Sequence, residues 1–594
     1  MRSLIIILLC VLSVPVTAQE NRDDLTPLHI AYTTSVGDDK QTLRIDMSVD
    51  HIARPTVHLA MPDWTPGAYG IGRYGARVNG LTVTNGEGRA LEVLPMDYKT
   101  WSVNTKGSKK IHATYTLKPG GRRGRRRTSA ARAPAGEPTG LRLSGPSTYL
   151  YVVGSKHVPV SSRYEIPNGW KIANGLLPTG DPAVRHARDY DTLIDAPTTL
   201  GIFQEHTFEV AGTPFSCVFF SNDQQYDFDI AAFVDICKKI VKSQGDLYGS
   251  YPFPNYVFLF SLPGGGGLEH LNSTTIGLNP IAMKRDVRAG ASVTSHEFFH
   301  TWNVKRIRPK VLGPFEYEHE NYTGNLWVSE GWTSYFGDLT LARTGIISRQ
   351  EYLSKIEGFI RVELNKEARK EHSVYWASRN VWHRNRADGL PRVDYYAKGE
   401  LLGLAIDLKI RHETDNKKSL DDVMRFFNRW FAERGVGFEE GDVERACTSI
   451  SNHDFGEFFA RHVRGVLDPP LKECFAYAGV EYTENHLTAS LPFSVRRRGA
   501  DRRVMRIRDE TSGEIRSGDI IKAIDGDVRF DTTTFLAKRT AGDEVTVTYV
   551  RDGKEGEAKV RLLERRTMIP SLRFIENPTD RQRQIREAWL TGND

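Results

Sequence analysis

The stretch that decides the fold is Ser295-His296-Glu297-Phe298-Phe299-His300. Residues four apart share one face of a helix, so His296 and His300 can present two imidazoles to one cation about 2.0–2.1 Å away. Glu297 stands beside the pair. A carboxylate there can take a proton from a metal-bound water whose pKa zinc lowers from about 15.7 to about 7. Phe298 and Phe299 would bury such a helix and keep its site dry. The five-residue pattern also arises by chance on amphipathic helices, so a third ligand is needed to infer a zinc centre.

Catalytic zinc keeps three protein ligands and one open position, and an acidic residue on a following helix often completes the set. Glu330 fits. It is the single carboxylate in Leu326-Trp327-Val328-Ser329-Glu330-Gly331-Trp332-Thr333-Ser334-Tyr335-Phe336, an otherwise apolar and aromatic helical stretch. A buried carboxylate needs a partner, and a cation supplies one. Glu316, Glu318 and Glu320 are weaker candidates, because they fall in a Pro/Gly/Tyr-rich loop with no apolar setting. One Zn2+ per chain is expected.

Outward from this centre, the strand-like run Tyr256-Val257-Phe258-Leu259-Phe260 is followed by four glycines, Gly264 to Gly267, and then Leu268-Glu269-His270. Glycine permits close backbone approach, so a peptide can pair with this edge at Gly266 and Gly267. A phosphate-binding loop is excluded, since no Gly-Lys-Ser/Thr follows. Glu269 at the end of the edge can hold a positive group by a charge-assisted hydrogen bond. Downstream, Asp394-Tyr395-Tyr396-Ala397-Lys398-Gly399 opens a helix carrying Leu401, Leu404, Ile406, Leu408 and Ile410. A tyrosine at such a helix start either packs in the core or points its hydroxyl into a cleft, where it can donate to a developing oxyanion.

The 594 residues are 39% hydrophobic and 26% charged, with a net charge of +6. That is ordinary globular composition, with length for three or four domains and no charge excess that implies nucleic acid. Arg2, the apolar run Leu4 to Val14 and Val16-Thr17-Ala18 read as a signal peptide over 1–18, which predicts a secreted or periplasmic protein. No stretch reaches the roughly 20 apolar residues of a transmembrane helix. Four cysteines follow the leader, Cys217, Cys237, Cys447 and Cys474. They would form one or two disulfides or stay as buried thiols; none has metal-binding spacing.

The chain divides by pattern. Residues 19–205 alternate as strands, as in Leu43, Ile45, Met47 and Val49, and predict an N-terminal β-sandwich-like domain. Within it lie the rigid aromatic loop Met61 to Tyr69 and, at 118–138, a basic insertion. That insertion is read as a solvated loop; Arg122–Arg127 is its candidate contact with an anionic surface or site of proteolytic clipping. Residues 206–484 are mainly helical, beginning with Ile230, Phe233, Val234, Cys237, Ile240 and Val241 at helical spacing. Residues 485–566 return to short strands in a small PDZ-like unit, and 567–594 are expected as a helical tail ending near Trp589. The fold class is multidomain α+β.

Five segments together resemble the glycyl aminopeptidase family of gluzincin zinc metallopeptidases: Trp64 to Tyr69 (WTPGAY), Gly266 to His270 (GGLEH), His296 to Arg306 (HEFFHTWNVKR), Leu326 to Gly331 (LWVSEG) and Tyr395 to Gly399 (YYAKG). The resemblance implies an N-terminal β domain, a thermolysin-like catalytic domain and a PDZ domain. It implies His296, His300 and Glu330 as zinc ligands and Glu297 as general base. It also implies Glu269 as anchor of a substrate's free α-amine and Tyr396 as oxyanion donor. Single N-terminal residues, Gly or Ala by preference, would be removed from peptides with a free N-terminus. Two features depart from the pattern: the arginine-rich insertion, and Arg496-Arg497-Arg498-Gly499, expected ahead of the first PDZ-like strand where an apolar carboxylate-binding loop would stand. Two alternatives are a zinc endopeptidase in which Glu269 is idle, and a PDZ-based peptide-binding or quality-control protein with a structural metal site.

Overall fold

The computed structural model describes residues 28–117, 138–383, 392–498 and 501–592. The predicted leader at 1–18, the arginines at 122–127 and Gly499 lie outside the described residues.

The alternation at 43–49 does what period two requires: Leu43, Ile45, Met47 and Val49 point inward from the strand Leu43–Asp50 and are buried. This strand belongs to a seven-stranded sheet, flanked on one side by His29–Val36 and on the other by Lys110–Leu117. A four-stranded sheet containing Thr56–Ala60 and Thr100–Asn104 covers it, and Val57, Leu59 and Val103 share one core with Ile45 and Met47. The β-rich N-terminal part is thus a sandwich of these two sheets with a third, three-stranded sheet of Lys171–Ala173, Thr198–Gly201 and Gly140–Leu143, whose Leu143 and Leu200 join the same core. Of the strand-like run 148–153, only Tyr151–Val152 pairs.

Next comes a five-stranded sheet, in the order Gln204–Val210, Thr213–Ser221, Tyr256–Leu262, Ser273–Gly277, Gly267–Glu269. The three central strands are parallel, and the helix Ile230–Tyr248 makes the crossover between the first two of them. All seven residues of Tyr256–Leu262 are buried, because both faces of a parallel strand are covered. The edge is Gly267–Glu269, antiparallel to Ser273–Gly277 and, among the described residues, unpaired on its other side. Helices Ala291–Phe299, Thr333–Arg343, Arg349–Leu364 and Ala397–Glu413 are among those that build the rest of this core. Cys217, Cys237, Cys447 and Cys474 are all free and buried, so they pack as small apolar residues and not as disulfides.

The C-terminal region departs from expectation in three places. The strand Val480–Ser490 runs straight through the expected boundary at 484 and pairs with Leu563–Phe574 as a two-stranded ribbon. Residues 567–574, expected as helix, are therefore strand; Met568, Pro570 and Leu572 alternate as buried residues, which is period two and not 3.6. Arg496 to Arg498 lie inside the first strand of the C-terminal sheet, Phe493–Arg498, not ahead of it. This five-stranded antiparallel sheet has its own core, including Val504, Ile521, Ile524, Val547 and Val560.

The helix Asp580–Thr591 is no loose tail. Trp589 is fully buried in the helical core, and its indole N–H donates to the Tyr335 hydroxyl (3.0 Å), which in turn donates to Asp407 (2.5 Å). Arg343 Nε donates to the carbonyl of Trp589 (3.1 Å). Among the described residues no helix is long and apolar enough to cross a membrane. Trp589→Ala is expected to lower the free energy of unfolding by roughly 3–5 kcal/mol, read from urea denaturation. A change below about 0.5 kcal/mol would show that the helix is only appended.

Candidate active site

His296 lies in the last turn of the helix Ala291–Phe299, and His300 caps its end. Their ring nitrogens meet as the spacing predicts, Nε2 to Nε2 at 3.0 Å. Glu330 comes from a π-helical turn, Trp327–Trp332, that leads into Thr333–Arg343. Such turns widen the helix locally and are frequent at functional positions. Glu330 Oε2 stands 3.2 Å from His300 Nε2 and 3.5 Å from His296 Nε2.

Three glycines make that convergence sterically allowed. A Cβ on Gly331 would fall 2.4 Å from the Cα of Gly399, and one on Gly399 would fall 2.5 Å from the carbonyl of Trp327. The Glu330 turn and the helix that follows Tyr396 thus touch backbone to backbone. Gly337 gives the same close approach to the backbone of His296, at 3.1 Å.

The imidazoles are held from behind. His300 Nδ1–H donates to the carbonyl of Asn303 (3.0 Å), which orients the ring so that Nε2 faces the Glu330 carboxylate and would be the atom to bind a metal on losing its proton. Ser334 Oγ lies 3.2 Å from His296 Nδ1. The Asn303 amide ties the two halves together by donating to the Val328 carbonyl and to Thr333 Oγ1, both at 2.9 Å.

Donors 2.0–2.1 Å from one tetrahedral centre lie about 3.3 Å apart, so the spacings of 3.0, 3.2 and 3.5 Å suit a zinc ion. Electrostatics agree. Burial lowers the proton affinity of His300, but the carboxylates of Glu330 and Glu269 outweigh it and lift its pKa to about 9. Burial works to raise Glu330, yet the charge of His300 and hydrogen bonds from both imidazoles bring it down to about 2. The point between these groups favours positive charge.

Glu297 and Glu269 converge on the same place. Both are buried, and with His300 they form a second set whose ligand atoms lie within 4.8 Å of one another. Glu297 Oε2 and Glu269 Oε1 have no hydrogen-bond partner among the described residues. Burial, with the nearby carboxylates, pushes the Glu297 carboxyl well above its usual range against the opposing charge of His300. Gly267 lies directly against Glu297, where a Cβ would stand 2.3 Å from Oε1 and the carboxylate would have to shift. Gly266 has open space beside it and accepts the Gly277 amide through its carbonyl (2.9 Å). Tyr396 stands beside His296, its ring 6.0 Å from that of His296 and 29° from parallel. Burial and the Glu330 charge push its phenol well up, so it stays protonated.

Sequence reasoning missed how the N-terminal sandwich enters the site. Gly67, at φ +84°, lies against Glu269: a Cβ there would fall 2.7 Å and 2.9 Å from its two carboxylate oxygens. Asp195, also from the N-terminal part, accepts from Lys305 Nζ (2.8 Å), pairs with His270 Nδ1 (3.2 Å) and accepts from the Leu271 amide (2.8 Å). The only sequence signals were the quoted WTPGAY and HTWNVKR motifs; nothing local marked Asp195. The loop carrying Glu316 to Glu320 has an apolar setting after all, since Phe315 and Tyr317 pack on Trp64, whose indole donates to the Glu316 carbonyl (2.9 Å). Glu318 accepts there from Tyr151 (3.0 Å), and none of the three carboxylates joins the donor set.

Fold and donor set together define a zinc metallopeptidase. Residues 289–402 match the M61 glycyl aminopeptidase family, and residues 32–202 match the Peptidase M61 N-terminal domain. The first match spans His296 to Tyr396 and leaves Glu269 outside. No curated protein sequence matches the chain. An aminopeptidase N family protein from Idiomarina loihiensis has the same fold, with a TM-score of 0.79 at 23% identity over 94% of this chain and 100% of that one. An M1 zinc metallopeptidase from Deinococcus radiodurans aligns at a TM-score of 0.45 and 14% identity, over 75% of this chain and 96% of that one.

Gly267→Ala is expected to displace Glu297 and lower peptide hydrolysis by about 100-fold, with zinc content by elemental analysis unchanged. Hydrolysis within about twofold of the parent would show that this strand does not set the position of Glu297.

Proposed function

We propose that the protein is an exported aminopeptidase that hydrolyses the first peptide bond of peptides with a free N-terminus, with Gly or Ala preferred first. The observation that carries this reading is Glu269: a buried carboxylate oxygen without a hydrogen-bond partner among the described residues, beside the donor set. A buried charge of this kind is stabilised by a cation, and an α-ammonium fits. Anchoring the amine one residue from the donor set leaves room for one residue before the scissile bond. Family likeness to the M61 glycyl aminopeptidases supports the small first residue, and the sequence reading of 1–18 supports export.

In this account His296, His300 and Glu330 hold one zinc ion. Zinc, when bound, supplies a Lewis acid that makes water nucleophilic at neutral pH. Glu297 takes the proton from the attacking water on its carboxylate and passes it to the leaving amine. The Tyr396 phenol donates to the oxygen of the scissile carbonyl as negative charge develops there, a contribution of roughly 2.7–4 kcal/mol for a preorganised donor. The free edge at Gly266 and Gly267 offers backbone groups to an extended peptide. The C-terminal sheet is read as PDZ-like, a small module attached through the ribbon.

Glu297→Gln is expected to keep full zinc content and lose hydrolysis by at least about 1,000-fold; substantial residual turnover would remove Glu297 from the role of base. Glu269→Ala is expected to raise KM and lower kcat for peptides led by a free glycine. Unchanged values of both would leave the α-amine without its anchor and favour endopeptidase activity.

A further inference from the structure

The arginine run at 496–498 has no part in the chemistry proposed above. Between 496 and 508 the chain carries seven arginines and a single carboxylate, Asp501. The strands Phe493–Arg498 and Asp501–Ile507 pair antiparallel, in a register that sets Arg496 opposite Arg503 and Arg497 opposite Arg502. Like charges directly opposite on paired strands repel, so this register carries a cost within the fold. Val495 and Val504 are also opposite one another and turn into the core of the C-terminal sheet. Arg496 and Arg503, one residue along each strand, therefore stand on the outer face, as do Ser494 and Arg506 on the other side of the valine pair.

The cluster holds no counter-charge of its own. Arg496, Arg506, Arg508 and Arg565 are exposed and form no ion pair among the described residues. Partial burial, with the charges of Arg565 and Arg506, holds the Arg508 guanidinium below the usual arginine range, and no carboxylate offsets them. Arg502 donates to the carbonyls of Val528 (3.1 Å) and Phe530 (3.3 Å), and Arg503 to that of Gly518 (2.9 Å). These neutral acceptors aim the side chains without cancelling their charge. The imbalance is local, because elsewhere in the same sheet Arg551 pairs with Asp519 and Lys559 with Glu544.

Apolar side chains accompany the charge. Met505, the extra residue at the register shift between Val504 and Arg506, is 48% exposed, and Val528, whose carbonyl takes the Arg502 bond, is 62% exposed. No other large apolar side chain beyond residue 480 is as exposed among the described residues, and neither of these two is aromatic. A polyanion in solution would meet the arginines and leave Met505 and Val528 in water, and a single-stranded nucleic acid would call for aromatic stacking. A bilayer with anionic headgroups offers phosphates to the arginines and acyl chains to the methionine and valine.

We infer that the outer face of this strand pair docks on an anionic lipid bilayer. Arg496, Arg503 and Arg506 meet the phosphates, and Met505 and Val528 enter the boundary of the acyl chains. The reading of 1–18 as an export signal supports a membrane surface as the neighbour. The inference does not depend on the aminopeptidase reading.

The test sediments the full-length zinc-loaded protein with vesicles of phosphatidylcholine alone or with about 30% phosphatidylglycerol, at about 0.1 M salt. Affinity for the anionic vesicles should exceed that for the neutral ones by at least about tenfold and collapse at about 0.5 M salt. The triple variant Arg496→Gln, Arg503→Gln, Arg506→Gln should weaken anionic binding by roughly 100-fold, since each basic side chain at such a surface contributes about fivefold. Its thermal unfolding midpoint should not fall, because the substitutions remove a repulsion. Met505→Ser with Val528→Ser should weaken binding about tenfold and leave its salt dependence as it was. Equal affinity for the two kinds of vesicle would overturn the inference. So would anionic binding that survives in the triple variant, which would place the contact elsewhere in the chain, or retention of duplex DNA with no binding to vesicles.

Discussion

Two imidazole nitrogens and one carboxylate oxygen held 3.0–3.5 Å apart in a largely buried site form the constraint on which this structure depends. Such groups are expensive to bury; they offset one another's desolvation in part, and a cation between them would offset it further. The surrounding chain is shaped to enforce the geometry. The π-helical turn aims Glu330, Gly331 and Gly399 let two backbones touch behind it, and Asn303 fixes both the His300 ring and the turn. Trp589, about 260 residues downstream, then closes the far side of the same core through Tyr335.

A second consequence is that the site does not belong to one domain. Gly67 presses on Glu269, and Asp195 gathers Lys305, His270 and the Leu271 amide, so the sandwich positions both the edge strand and the segment after the zinc-binding helix. Lys305 and His270 are nearly fully buried, where losing one charged partner leaves the other uncompensated. The sandwich therefore acts as a wall of the active site and not as a spacer.

What was legible in the sequence was whatever is encoded within one turn or one strand. The four-residue spacing of His296 and His300 is a property of any helix, and the lone carboxylate at Glu330 stood out against its apolar neighbours. Glu269 and Tyr396 were legible once motifs were compared, and the structure brings both to the donor set. Asp195, Asn303, Ser334 and Gly67 were not, because their partners are distant in the chain or are backbone atoms, which leave no local signature. The strand at 567–574 was missed for a related reason: its alternation is short, interrupted by Pro570, and stabilised by pairing with Val480–Ser490 far upstream.

The measurement that bears most directly on this account compares one peptide in two forms, Ala-led with a free amine and Ala-led with the amine acetylated, as substrates of the full-length zinc-loaded protein. Release of alanine from the free form, with the acetylated form untouched, is the predicted result, because only an ammonium can pair with Glu269. Comparable cleavage of the acetylated peptide would contradict the account, since the substrate would then be bound without its N-terminus.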